Sequence, residues 1–187
     1  MNWYCDVAPG HLVHQPYHDD EYGFPVGDDV VLFERLSLEI FQAGLSWLIV
    51  LKRRESLKVA FAGFDPVRLA AYGPADIDRL LGDSTIIRNR RKVEAIIANA
   101  ACVVGLQQEH GSLAAWLGEQ RLEGARTRTK DSWVKLFRAT FRFMGVEVVN
   151  EFLMSIGYLP GAHREDCPVF ARIAEQKPPW MMDRDLR

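Results

Sequence analysis

Apolar residues recur at helical spacing through nearly the whole chain, and no stretch shows several strands alternating at period two. After Asp28 and Asp29, either of which suits a helix N-cap, Val31, Leu32, Leu36, Ile40 and Ala43 fall at helical spacing. Gly44 ends that run. Ser46 suits the cap of a second helix over about residues 47–62, closed by Gly63. Asp65-Pro66 combines an N-cap with proline at the first helical position, which predicts a short helix to about Tyr72. Gly73-Pro74 turns the chain into another short helix, about residues 75–81. The stretch LLGDSTIIRNRRKVEAIIANA predicts a helix end at Gly82, a tight turn, and a long helix from near Arg88 to about Gln108. Ser112 suits the cap of a short helix through Trp116. Residues 119–129 read as polar and irregular. Helices over about 131–143 and 146–156 lie on either side of Gly145, and a last helix starts at Pro168. The pattern predicts an all-α class with many short helices, no internal repeat and no low-complexity segment.

Composition adds size and charge to that picture. The 187 residues are 48% hydrophobic and 26% charged, enough for one well-buried core. The net charge of -2 announces no nucleic-acid partner, but its distribution is uneven. Residues 1–34 hold no Lys or Arg, yet contain Asp6, Asp19, Asp20, Glu21, Asp28, Asp29 and Glu34. Basic residues then cluster at Lys52-Arg53-Arg54, at Arg88 with Arg90-Arg91-Lys92, and from Arg121 to Arg142. Such a face fits DNA phosphates, and equally a set of solvated helix surfaces. No apolar run of about 18 residues predicts a membrane span. The N-terminal MNWYCDVAPG lacks the basic and apolar regions of a signal peptide, so a cytoplasmic protein is expected.

Three cysteines, Cys5, Cys102 and Cys167, make an odd count that favours metal ligation over disulfides. In GAHREDCPVF, His163 and Cys167 are spaced so that one turn could present both to a single ion. Zinc takes four such ligands. Cys5 and His18 supply a Cys–His pair near the start of the chain, with His11 and His14 between them. By spacing alone, each half fits an inert buried cysteine and an ordinary histidine just as well.

The words around these residues carry a resemblance. YHDDEYGFP, LEIFQAGLSW, LKRRE, FDP and IIRNRRK occur in this order, spread over most of the chain. Together they resemble the DNA-3-methyladenine glycosylase I family, the constitutive alkylation-repair glycosylases of bacteria. The resemblance spans about residues 3–170. It implies a helix-hairpin-helix DNA glycosylase domain over 1–170 and a tail over 171–187. It also implies a structural Zn²⁺ that joins the N- and C-terminal segments through Cys5, His18, His163 and Cys167. The hairpin would be the turn Gly82–Ile86, with Arg88, Arg90, Arg91 and Lys92 adding charge near a DNA phosphate.

The same resemblance implies the chemistry. The substrate would be 3-methyladenine in double-stranded DNA, flipped out of the helix before its N-glycosidic bond is hydrolysed. Methylation makes that base a cation and weakens the bond, so the pocket needs aromatic faces and a carboxylate more than it needs an acid. Glu39, in the apolar stretch SLEIFQAG, matches the family's pocket glutamate. Trp47 and Tyr17 match stacking aromatics, with Tyr22 nearby. Leu45 is placed to fill the gap left in the duplex. No Asp lies between Asp83 and Asp131, which agrees with a branch that works without a catalytic aspartate. A monomer is expected.

Several positions depart from the family pattern. Tyr22 stands where Trp is frequent, His14 where Tyr is common, and Thr85 where Gly is usual. GYLPGAH is longer than the usual segment, and Glu151 puts a carboxylate where a small polar residue is expected. They leave two alternatives: a glycosylase for a different alkylated base, or a non-catalytic binder of damaged DNA. A zinc hydrolase using Asp19 or Glu21 ranks last, because a closed Cys₂His₂ shell has no position for water.

Overall fold

The computed structural model describes residues 3–123 and 126–182. In chain order the helices are α1 (Tyr4–Val7), α2 (His14–Asp20), α3 (Asp29–Gln42) and α4 (Trp47–Ala60). Next come a 3₁₀ turn (Ala62–Phe64), α5 (Pro66–Ala70), α6 (Pro74–Gly82), α7 (Arg90–His110) and α8 (Leu113–Gln120). A two-residue ribbon, β1 (Leu122–Glu123) against β2 (Arg126–Thr127), precedes α9 (Lys130–Thr140), α10 (Val146–Ser155), α11 (Pro168–Glu175) and α12 (Pro179–Met182).

Most helix starts are set locally. Asp28 accepts a hydrogen bond from the Val31 N–H at 2.9 Å, and Asp65 caps α5 through the N–H groups of Val67 and Arg68. Ser112 and Thr129 cap α8 and α9 in the same way. The long helix begins two residues later than predicted because Asn89 is its cap, accepting from the Lys92 N–H. Ser46 precedes α4, but its side chain makes no cap bond.

The centre of the fold is α3. From Leu32 to Phe41 every residue is buried, including Glu34, Arg35 and Glu39, so this helix is enclosed on all sides. It packs against α4, α7, α8 and α10. Asp29 at its first turn also accepts from the backbone N–H groups of Leu113 and Ala114, which locks the start of α8 onto it. The buried ion pairs are built as a network: Arg54 grips Glu21 and Glu34, and Arg35 reaches Glu21 and the Glu21 and Ser155 carbonyls.

The two ends of the chain meet. Gly23 has φ +87°, and a Cβ there would lie 2.9 Å from the Ala162 Cβ, so only glycine permits this crossing. Arg164 pairs with Asp6, and Arg172 with Asp20. Residues 171–187, expected as a tail, are packed as far as Trp180. Ile173 and Trp180 are buried, and the Trp180 N–H donates to the Gly157 carbonyl. Residues 183–187 lie outside the described residues. The stretch 119–129, read as irregular, carries the short ribbon, whose connecting residues 124–125 are likewise outside the description. No helix among the described residues is long and apolar enough to cross a membrane.

Candidate functional site

Where α3 ends, Gly44 takes φ +80° and turns the chain through Leu45 and Ser46 into Trp47. This corner and the segment 17–22 enclose a cavity of about 180 Å³ lined by Tyr4, Tyr17, Tyr22, Glu39, Gln42, Trp47 and Glu151. The ring centroids of Tyr17 and Trp47 are 5.0 Å apart, those of Tyr4 and Tyr22 5.5 Å, and those of Tyr17 and Tyr22 5.8 Å. The cavity is thus an aromatic cage, which suits a flat cation. Glu39 is only 4% exposed, and its carboxyl makes no hydrogen bond among the described residues. Burial pushes its pKa well above the ordinary carboxylate value, the charge of Glu151 adds to this, and Arg35 works against it. The neighbouring phenols Tyr17 and Tyr22 are raised as well, chiefly by burial, so both stay protonated hydrogen-bond donors.

Beside the cavity lies a second cluster. Cys5, His18, His163 and Cys167 are all buried, and one potential ligand atom from each falls within 4.8 Å of the others. His163 Nδ1 is 3.6 Å from Cys5 Sγ and 3.5 Å from Cys167 Sγ, and His18 Nε2 is 3.9 Å from Cys167 Sγ. Tetrahedral zinc with these atoms requires separations of about 3.3–3.8 Å, so the donor set fits a metal ion with little movement. The partners behind the rings also fit. His163 Nε2 donates to the Tyr22 carbonyl at 2.8 Å, which leaves Nδ1 without a proton and facing the sulfurs. His18 Nδ1 is 2.7 Å from Asp19 Oδ1 in the same manner.

The sequence-derived site residues separate into groups. Glu39, Tyr17, Tyr22 and Trp47 come together in the cavity, and the four Cys and His residues come together in the cluster. Leu45 is exposed at the corner. Arg88 and Arg91 are exposed beyond the α6–α7 turn, and Arg90, also exposed, is paired with Asp78 and Glu94. Lys92 is a correction. It is 4% exposed, and its Nζ donates to the carbonyls of Phe41 and Ala43, so it caps the C-terminus of α3 and is unavailable to DNA. Asp19 and Glu21 are engaged by His18 and by two arginines, which removes them as free bases.

A sequence model described as methyladenine glycosylase matches residues 8–171. A DNA-3-methyladenine glycosylase of Haemophilus influenzae is 35% identical over 182 residues, covering 90% of this chain and 98% of that one. This chain belongs to the methyladenine glycosylase family. Among solved structures, 3-methyladenine DNA glycosylase I from Staphylococcus aureus superposes with a TM-score of 0.78 at 33% identity, covering 89% of this chain and 95% of that one. A structure of a variant 3-methyladenine DNA glycosylase I in complex with 3-methyladenine gives a TM-score of 0.79 at 32% identity, with 90% and 97% coverage.

For a member of this family, sequence reasoning missed three wall residues: Tyr4, Gln42 and Glu151, the last noted only as a departure from the family pattern. Tyr4 stands next to the cluster residue Cys5 and carries no sequence signal of its own. The Tyr4 hydroxyl lies 3.1 Å from His14 Nδ1, and the Tyr4 ring, not residue 14, forms the cavity wall. Gln42 lies one turn beyond Glu39 on α3 and carries no sequence signal beyond that spacing.

Proposed function

We propose that this protein is a monofunctional DNA glycosylase that hydrolyses the N-glycosidic bond of 3-methyladenine in double-stranded DNA. The observation that carries the reading is a buried carboxyl, Glu39, with no hydrogen-bond partner of its own, inside a cage of tyrosine and tryptophan rings. A flipped, positively charged base supplies what Glu39 lacks: charge and an amino group that donates to it. The base needs no protonation to leave. Its bond to C1′ breaks with the electron pair going to the base, which departs neutral. Water then adds at C1′ and loses a proton to solvent. The protein's contribution is orientation, exclusion of water by the rings, and electrostatic favour for positive charge near C1′ and the base.

The α6–turn–α7 unit serves as the hairpin. Its turn is tightened by Asp83, which accepts from the Thr85 N–H and hydroxyl, and by Arg53, which donates to the Thr85 carbonyl. Arg88 and Arg91 meet phosphates there, and exposed Leu45 wedges into the duplex beside the extruded nucleotide. Cys5, His18, His163 and Cys167 would hold a structural zinc ion. These four residues would tie the two chain ends together through it, and with four protein ligands there would be no position left for water, so the site would take no part in the bond-breaking step. The protein acts as a monomer on chromosomal DNA in the bacterial cytoplasm.

The test is release of free methylated bases from alkylated duplex DNA. Free 3-methyladenine should appear ahead of uncharged bases. With enzyme in excess over lesions, binding of the duplex without any released base would refute catalysis and leave a damage-binding protein.

A further inference from the structure

The cavity holds a second carboxylate that the reading above does not use. Glu151 reaches it from α10, whereas Glu39 reaches it from α3. Glu151 Oε2 accepts from the Tyr22 hydroxyl at 3.1 Å, and Oε1 from the Asn150 side-chain amide at 3.3 Å. Both donors are neutral. Among the described residues, no cation lies within ion-pairing distance of this half-buried group; Lys130 and Glu147 act on it only from farther away, with opposite signs. The donor that holds it is itself fixed. The Tyr22 N–H donates to the Tyr17 carbonyl at 2.8 Å, its carbonyl accepts from His163, and its ring is a wall of the cavity.

Two carboxyls in one small cavity repel, and burial removes the water that would screen them. A carboxylate placed there for packing alone would bring a cation with it, as Glu21 and Glu34 do with Arg54. Glu151 brings only a phenol and an amide. The missing positive charge is on the ligand side.

We propose that Glu151 is a specificity-determining residue: its carboxylate, oriented by the Tyr22 hydroxyl, joins Glu39 in the cavity and raises the preference for a positively charged base over a neutral one. The proposal rests on the glycosylase reading for the nature of the ligand. Glu39 supplies one acidic group that favours a cationic base over a neutral one. Adding Glu151 supplies a second, so the cavity becomes more sensitive to net charge.

The test uses free bases, so it does not depend on turnover. Binding of 3,9-dimethyladeninium, a permanent cation, and of uncharged 9-methyladenine is measured at pH 8 by quenching of tryptophan fluorescence, Trp47 being in the cavity wall. Wild type should favour the cation. Glu151→Gln should lose about tenfold in affinity for the cation and less than about twofold for the neutral base. Glu151→Asp keeps the charge and should retain most of the preference. Tyr22→Phe removes the orienting hydroxyl and should fall between Gln and wild type. Thermal melts check that each variant is folded. If Glu151→Gln does not fold, Tyr22→Phe and Glu151→Asp still decide the matter. Equal losses for both ligands, no loss at all, or failure of wild type to favour the cation would overturn the proposal. Release of methylated bases from DNA, measured on the same wild-type protein, reports separately on the glycosylase reading.

Discussion

Glu39→Gln should make the protein more stable and less active at once. The glutamine keeps the shape of the side chain and removes its charge. In the folded protein the Glu39 carboxyl is raised by burial and by Glu151, with Arg35 opposing, so folding takes up a proton at this site. The sign follows. Below the ordinary carboxylate pKa, about 4.3, the group is protonated in both states and carries no charge penalty. As pH rises from there toward the folded pKa, the unfolded chain ionises first and wild-type stability falls. An unsatisfied buried polar group costs about 1–3 kcal/mol, and more when charged. The amide keeps part of that cost, which leaves a gain of about 1–2 kcal/mol for the variant at pH 8. For a chain of this size that is about 2–8 °C in Tm. The assay is a pair of thermal melts, wild type and variant, at pH 5.5 and pH 8. The gap between them should be larger at pH 8. Release of 3-methyladenine should fall about 10- to 100-fold, the worth of one charge-assisted hydrogen bond. A variant less stable than wild type at pH 8, or a gap that does not change with pH, would refute the assignment of Glu39 as a buried, uncompensated carboxyl. Release at the wild-type rate would refute its role in the pocket.

Protein purified without chelator should contain about one zinc per chain by elemental analysis, and Cys167→Ser should lose both the metal and cooperative unfolding. Lys92→Met should destabilise by about 2–4 kcal/mol in urea melts, because it strands the Phe41 and Ala43 carbonyls. It should leave the salt dependence of DNA binding unchanged. Replacing Arg88 and Arg91 together by Ala should reduce the log–log salt slope by about 2 and weaken all duplexes alike. An unchanged slope would mean that these side chains are only a solvated helix face.

The parts of the fold legible in the sequence are those fixed by neighbours in the chain. Asp28, Asp65 and Ser112 cap helices because a side chain reaches the N–H groups two or three residues ahead. Gly44 ends α3 because it alone adopts the needed φ at no cost. Glu39 stood out as a charge inside an apolar helical stretch, but its place in a pocket came from the resemblance and not from that pattern. What could not be read was set by distant contacts. Lys92 belongs to a run of basic residues, and only the crossing of the first turn of α7 under the end of α3 makes it a buried cap. Residues 4–20 have little apolar periodicity. Their helices are held by rings and by the Cys and His side chains, and neither pattern repeats along the chain.

The same distant contacts join the two halves of the site. Tyr17 is a cavity wall and the next residue, His18, is in the Cys/His cluster; Tyr22 is another wall, and its carbonyl receives the His163 N–H. Segment 17–22 therefore belongs to both. A metal ion held by all four residues would have no open position and could not act on the glycosidic bond, but it would decide where two of the aromatic walls stand and how the Tyr22 hydroxyl meets Glu151. Loosening the cluster should thus reach the chemistry through geometry. A ring displaced by about 1 Å holds the base out of line for reaction, and misplacement of that size is enough to cost about 100-fold in rate.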